Sequence, residues 1–208
     1  YANLSLTGVD GPGSSNIQGL DAGTSQFGRV LLYLQTLSAD QMIWSYENDP
    51  GTREIQRNIW NADDPIIYGM YGRTHATIAF ANNFLRETTD AKLTERNVSA
   101  TTKADIVKFR AEARLLRAMS YYYMMDLFGQ ANFTTEDDAI NEKPQAYNRT
   151  QLFDFIEKQA HYDEEKLKRY FSSEKFIQHL PSEKNHLYSL ILKSLRGFYA
   201  DKSAAAIL

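Results

Sequence analysis

Apolar residues recur at helical spacing in five stretches of the chain, separated by polar, turn-forming sequence. In the first, Phe27, Val30, Leu31, Leu34 and Leu37 lay one apolar stripe along a helix over 25–37, and the pattern allows an extension to Ile43. Asp63-Asp64-Pro65 then supplies a helix start, with an aspartate to accept from free amides and proline in the first turn, so a second helix is predicted from Pro65 to Thr88. A third, from Lys103 to Phe128, puts Ala111, Leu115, Ala118, Tyr122 and Met125 near one face, widened by Ala113, Leu116 and Met119, with Gly129 as its stop. Thr150 is the expected cap of a fourth helix, which carries Leu152, Phe153 and Ile156 and runs on through Leu167 and Tyr170. After Pro181, residues Asn185 to Tyr199 give a fifth.

The intervening segments read as loops. Leu6 to Thr24 holds five glycines and a Gly-Pro-Gly turn, the chemistry of an exposed arm. Trp44 to Pro65 carries both tryptophans in a long connection with room for short structure, and Glu87 to Thr102 is a polar connector. Turn-forming residues and Pro144 fill the loop after Gly129. The expected fold class is therefore all-α, helix packed on helix with long loops.

Composition narrows the function classes. A chain of 208 residues with 43% hydrophobic and 24% charged residues can bury one sizeable core. Its formal net charge of -3 leaves no electrostatic footprint for a polyanion, so no nucleic-acid partner is expected. No run approaches the about 18 apolar residues of a membrane helix, and YANLSLTGVD has neither a basic region nor an apolar run. Any signal peptide is accordingly expected to have been removed. With no cysteine, disulfides, Cys-ligated metals and thiol nucleophiles are excluded within these residues. Tyrosine stands out, with 13 Tyr and 11 Phe against 2 Trp, and its ring and hydroxyl suit both helix seams and wet binding surfaces.

No catalytic set is assembled. His75, His161, His179 and His186 show no HExxH spacing, so neither a metal nor any other cofactor is expected, and His75 reads as a packing residue inside a helix. The glycine-rich run at 8–13 has no strand before it and no lysine after it, which makes it a turn. Asp63-Asp64, Glu136-Asp137-Asp138 and Asp163-Glu164-Glu165 are adjacent carboxylates of a kind common on solvated surfaces, and an enzyme is not expected. Arg110, Arg114 and Arg117 form one stripe whose expected partners are Glu112, Asp105 or a neighbouring helix.

The strongest ligand-binding candidate is the connection between residues 44 and 63. Sugars need a flat aromatic surface against their C–H faces and amides or carboxylates for their hydroxyls, and Trp44, Tyr46, Asn48, Asp49, Trp60, Asn61 and Asp63 provide that mixture. A second reading stays open, in which Trp44 and Trp60 pin the loop onto the helices.

Word order within the third helix goes further than periodicity. Glu112, Leu116-Arg117-Ala118, the aromatic run Tyr121 to Tyr123, and Leu127-Phe128-Gly129 resemble the signature of the SusD/RagB family. A looser match is carried by Tyr71, His75, Ile78 and Asn82, and another by Ser38-Ala39-Asp40-Gln41. The resemblance spans residues 1–157, an N-terminal region, while 158–208 is a helical C-terminal segment in which the family's next helix pair is not found. It implies tetratricopeptide-like helical packing, with Arg117 in a structural role. It also implies a surface lipoprotein of the outer membrane of Bacteroidetes, anchored by a lipid-bearing cysteine upstream of Tyr1. Such a protein binds oligosaccharides in polysaccharide utilisation and captures nutrients for a SusC-like TonB-dependent transporter. The alternative of a different class is a helical-repeat scaffold that binds protein or peptide.

Overall fold

The computed structural model describes residues 1–5, 14–15, 17, 22–23, 25–46 and 48–159. Most of the 6–24 arm, the helices expected after residue 159 and nearly all of the 158–208 segment lie outside the described residues. In chain order the elements are α1 (Ala2–Ser5), α2 (Phe27–Thr36), α3 (Thr52–Gln56), α4 (Pro65–Glu87), α5 (Asp90–Glu95), α6 (Ala100–Phe128), β1 (Gln130–Phe133) and β2 (Gln145–Asn148). Helical turns follow over 149–159.

Among the described residues the structure is mostly helical, as the periodicity requires, and α4 and α6 are its longest helices. Arg110 donates to the Leu85 carbonyl and Thr88, Arg117 to Asn82, and Thr74 to Met124, while Tyr71 packs edge-on against Phe128. Rising numbers on one helix meet falling numbers on the other, so the two run antiparallel. Ala111, Ala118 and Met125 are buried on α6 as their spacing predicts, whereas Leu115 and Tyr122 are only half-buried. Tyr121 and Met124 take the deep positions instead. Beside α4 and the C-terminal end of α6, α2 and its C-cap contribute Val30, Tyr33 and Leu37 to a core shared with Ile55, Ile66 and Met70, with Tyr123, Leu127 and Phe128 packed against it.

The helix starts follow local chemistry. Asp64 accepts from the Ile66 amide at 2.9 Å with Pro65 behind it, and Ser99 caps α6 by accepting from Thr102 at 3.2 Å. At the last described helix the expected cap is corrected. Asn148, not Thr150, holds the N-cap, because its Oδ1 accepts from the Gln151 amide and Gln151 Oε1 accepts from the Asn148 amide, each at 3.0 Å.

The helix ends depart further from expectation. Gly129 does stop α6 in the left-handed region at φ 72°. The extension of α2 to Ile43 does not form, because Asp40 takes φ 55° and the Gln41 amide closes back on the Thr36 carbonyl at 3.0 Å. Asn58 after α3 and Asn97 after α5 repeat this closure, with Ile59 bonded to Glu54 and Val98 to Leu93. Helix α5 itself interrupts the connector that reads as purely polar, held by buried Leu93.

Two strands appear where a loop is expected. β1 and β2 pair antiparallel with Ala131 opposite Tyr147 and Phe133 opposite Gln145. Phe133 stacks on Tyr147 at 4.0 Å and meets Tyr121 and Phe155 at 5.1 and 4.8 Å, so an aromatic cluster ties the hairpin to α6 and to the helix after it.

Candidate functional site

The 44–63 connection is held at three points. Its middle turns at Gly51, whose φ of 80° places it so close to the N-cap of α4 that a Cβ there would lie 2.6 Å from Asp64 Oδ1. Burial pushes the Asp64 carboxyl up, against the pull of the Ile66 and Ile67 amides, and Glu54 adds to the rise. Its two limbs are joined where the Trp44 amide donates to Gln56 Oε1 at 2.9 Å. Its first limb leans on α2 through the half-buried Trp44 indole, centred 5.0 Å from the Tyr33 ring.

Around Trp44 the candidates converge with a residue that pattern reading passes over. Trp44 Nε1 donates to Asp49 Oδ2 at 3.0 Å, and Arg29 of α2 pairs with the same oxygen at 3.3 Å. The Arg29 guanidinium donates through Nε to the Tyr33 hydroxyl at 2.8 Å and lies 5.3 and 5.9 Å from the centres of the Tyr33 and Trp44 rings. Tyr46 packs on the outer side of Trp44 at 5.8 Å with 68% of its surface exposed. The result is an exposed phenol ring over a braced indole, with a third-exposed guanidinium and carboxylate beside it. Such a group can stack one face of a ring and exchange hydrogen bonds with hydroxyls at its edge. Arg29 sits in the polar face of an amphipathic helix, and only its i,i+4 spacing to Tyr33 hints at this role.

The remaining candidates lie elsewhere on the loop. Asn48 is exposed beside Asp49. Trp60, 44% exposed, and Asn61 line a cleft formed with Leu34, Ile55 and Phe128, and neither Trp44 nor Tyr46 lines it. Asp63 is exposed, with its amide bonded to Asn61 Oδ1 at 2.9 Å. The seven residues thus fall into two stations rather than one.

Chemistry elsewhere is sparse. Among the described residues no cluster of three His, Asp or Glu side chains could hold a metal, and no helix is long and apolar enough to cross a membrane. His75 stacks on Tyr71 at 4.2 Å, and burial holds its imidazole below the ordinary range against the Tyr71 carbonyl's pull upward.

No family model matches the chain. Over 158 residues it is 30% identical to the starch-binding protein SusD of Bacteroides thetaiotaomicron, a stretch that makes up 76% of this chain and 26% of that protein. The chain is SusD-like. It spans about a quarter of the length of the relative it matches.

The resembling words of the SusD-like chain acquire a physical reason in the fold. Arg117, 2% exposed, donates to Asn82 Oδ1 at 2.6 Å, to Gln159 at 3.2 Å and to Glu136, and its guanidinium lies 5.5 Å from the Phe155 ring centre. Asn82 in turn donates to the Thr134 carbonyl at 3.0 Å. The arginine of the α6 signature and the asparagine of the α4 match are therefore one network, structural as expected. Its anionic partner is Glu136 on the hairpin loop rather than Glu112 or Asp105.

Proposed function

We propose that this SusD-like chain contributes a glycan-binding surface to a nutrient-capture protein, which acts by holding and handing over an oligosaccharide without breaking a bond. The observation that carries this reading is the exposed Tyr46 ring, braced by Trp44 and flanked by the Arg29–Asp49 pair. The relative's starch-binding name supports a neutral polysaccharide source. In this reading Trp44, Tyr46, Asn48, Asp49, Trp60, Asn61 and Asp63 form the binding loop. The protein is a surface lipoprotein of the outer membrane, anchored upstream of Tyr1, and its acceptor is a SusC-like TonB-dependent transporter. Modest affinity suits the task, because a ligand held too tightly is not released for import.

Affinity electrophoresis and isothermal titration of the chain against a polysaccharide panel test the reading, with Tyr46→Ala and Arg29→Ala alongside and circular dichroism as the folding check. Loss of an exposed aromatic anchor should weaken binding at least about tenfold. A folded wild-type chain that binds no glycan in the panel would overturn the reading.

A further inference from the structure

The second station has a shape and chemistry of its own. Leu34 from the last turn of α2, Ser38 just beyond it, Ile67 from the first turn of α4, and Leu127 and Phe128 from the last turn of α6 surround a cleft of about 470 Å³. Ile55, 1% exposed, lies at its base, and Trp60 and Asn61 stand at its open side. That volume lies within the range of small-ligand sites, about 300–1,000 Å³.

The lining decides what fits. It contains no charged side chain, so a carboxylated sugar would bring its charge into an apolar setting with no cation to meet it. It is not wholly apolar either. Asn61 Oδ1 accepts from the Asp63 amide, which leaves the side-chain N–H groups to face a ligand. The Ser38 hydroxyl donates to the Leu34 carbonyl, which leaves its oxygen free to accept. An indole wall with one donor and one acceptor beside it matches a ring that has an apolar C–H face and hydroxyls at its edge.

The geometry points to this cleft as a binding subsite for one neutral hexopyranose ring, separate from the Tyr46 station, with Trp60 as the stacking wall and Asn61 and Ser38 as its hydrogen-bonding partners. This rests on the glycan reading above and adds to it a second contact and a preference for uncharged sugar. Two weak stations on one loop give an oligosaccharide that reaches both more affinity than either alone.

The test is titration of the chain with a neutral gluco-oligosaccharide and with a uronate-containing oligosaccharide of the same length, using wild type, Tyr46→Ala, Trp60→Ala and Asn61→Ala. Binding of the neutral ligand should fall about tenfold in Trp60→Ala and about fivefold in Asn61→Ala. In a Trp44→Phe variant the neutral ligand should still change the fluorescence of the remaining tryptophan, and the uronate ligand should not. If Trp60→Ala and Asn61→Ala bind the neutral ligand like wild type while Tyr46→Ala does not, the cleft subsite is wrong and the glycan reading stands. If wild type binds neither ligand nor any glycan of the wider panel, the glycan reading itself falls. Asn61 is exposed, so its variant keeps the test decisive even where Trp60→Ala fails to fold.

Discussion

At Gly51 two constraints coincide, a left-handed φ of 80° and a Cβ direction that points into the Asp64 carboxylate 2.6 Å away. Gly129 has the same backbone problem without the collision, since a Cβ there would meet only the Arg149 side chain at 3.8 Å. Gly129→Ala should therefore cost about 1 kcal/mol, the conformational penalty alone. Gly51→Ala should cost more, about 2–4 kcal/mol, because the N-cap of α4 must also give way. Urea unfolding of both variants measures the difference, and equal costs would show that the carboxylate moves aside freely. Combining Gly51→Ala with Asp64→Ala should cost less than the sum of the two, as the clash and the cap are one contact. None of this is legible in the residue types. The sequence marks Asp64 as a cap, and only the fold brings Gly51 against it. Arg73 makes the same point more strongly: it is fully buried, donating to the Ser25 carbonyl and hydroxyl at 2.8 Å and to Asn3 Oδ1 at 2.9 Å, although a hydropathy pattern assigns arginine to the solvent face.

Among the elements, one start and one stop were legible and the others were not. Asp64 announces its helix because N-capping needs only a short oxygen-bearing side chain in sequence with the amides it meets, whereas Ser99 caps α6 from within the stretch that reads as a polar connector, and Asn148 takes the cap expected of Thr150. The ends at Asp40, Asn58 and Asn97 use the left-handed conformation without glycine, a choice that asparagine and aspartate tolerate but do not advertise. The hairpin was hidden for a different reason. Its strands are four residues each and are joined by the long 134–144 loop rather than a tight turn, so nothing local signals pairing. What holds it is tertiary: the Tyr121 hydroxyl donates to the Thr134 carbonyl and accepts from the Thr134 amide, both at 2.8 Å. Tyr121→Phe leaves the part-buried Thr134 amide without its partner, while the carbonyl keeps its bond from Asn82, and should destabilise the fold by about 1–3 kcal/mol. Hydrogen exchange should place the loss at residues 130–138; protection unchanged there would mean that the aromatic stack alone holds the hairpin.

At the scale of the whole molecule, the Arg117–Glu136 pair joins α6 to the hairpin loop, with Asn82 extending it to α4. Burial pushes the Glu136 carboxyl up, but the hydrogen bond from Arg117, its own backbone amide and the charges of Arg117 and Arg114 outweigh burial and leave it below its ordinary value. A depressed carboxylate contributes stability that is fully present above its unfolded pKa of about 4.3 and is lost as pH falls through the lower folded value. The melting temperature should therefore drop on acidification below about pH 4.3. Glu136→Gln should be less stable by about 3 kcal/mol at neutral pH, since it strands a buried guanidinium, and should lose this part of the pH dependence. A variant whose melting temperature falls with acid as steeply as wild type would rule out Glu136 as the cause. The sequence by itself determined the helical class, the positions of α2, α4 and α6, the Asp64 cap, the glycine stop and the signature words, because periodicity, capping and stops are local chemistry. The tertiary structure alone decided that Arg29 joins Trp44, Tyr46 and Asp49, that Trp60 and Asn61 form a second station, and that Glu136 rather than Glu112 answers Arg117. Those pairings depend on which loop reaches which helix, and residues 19 or 20 apart carry no local mark of the partner they will meet.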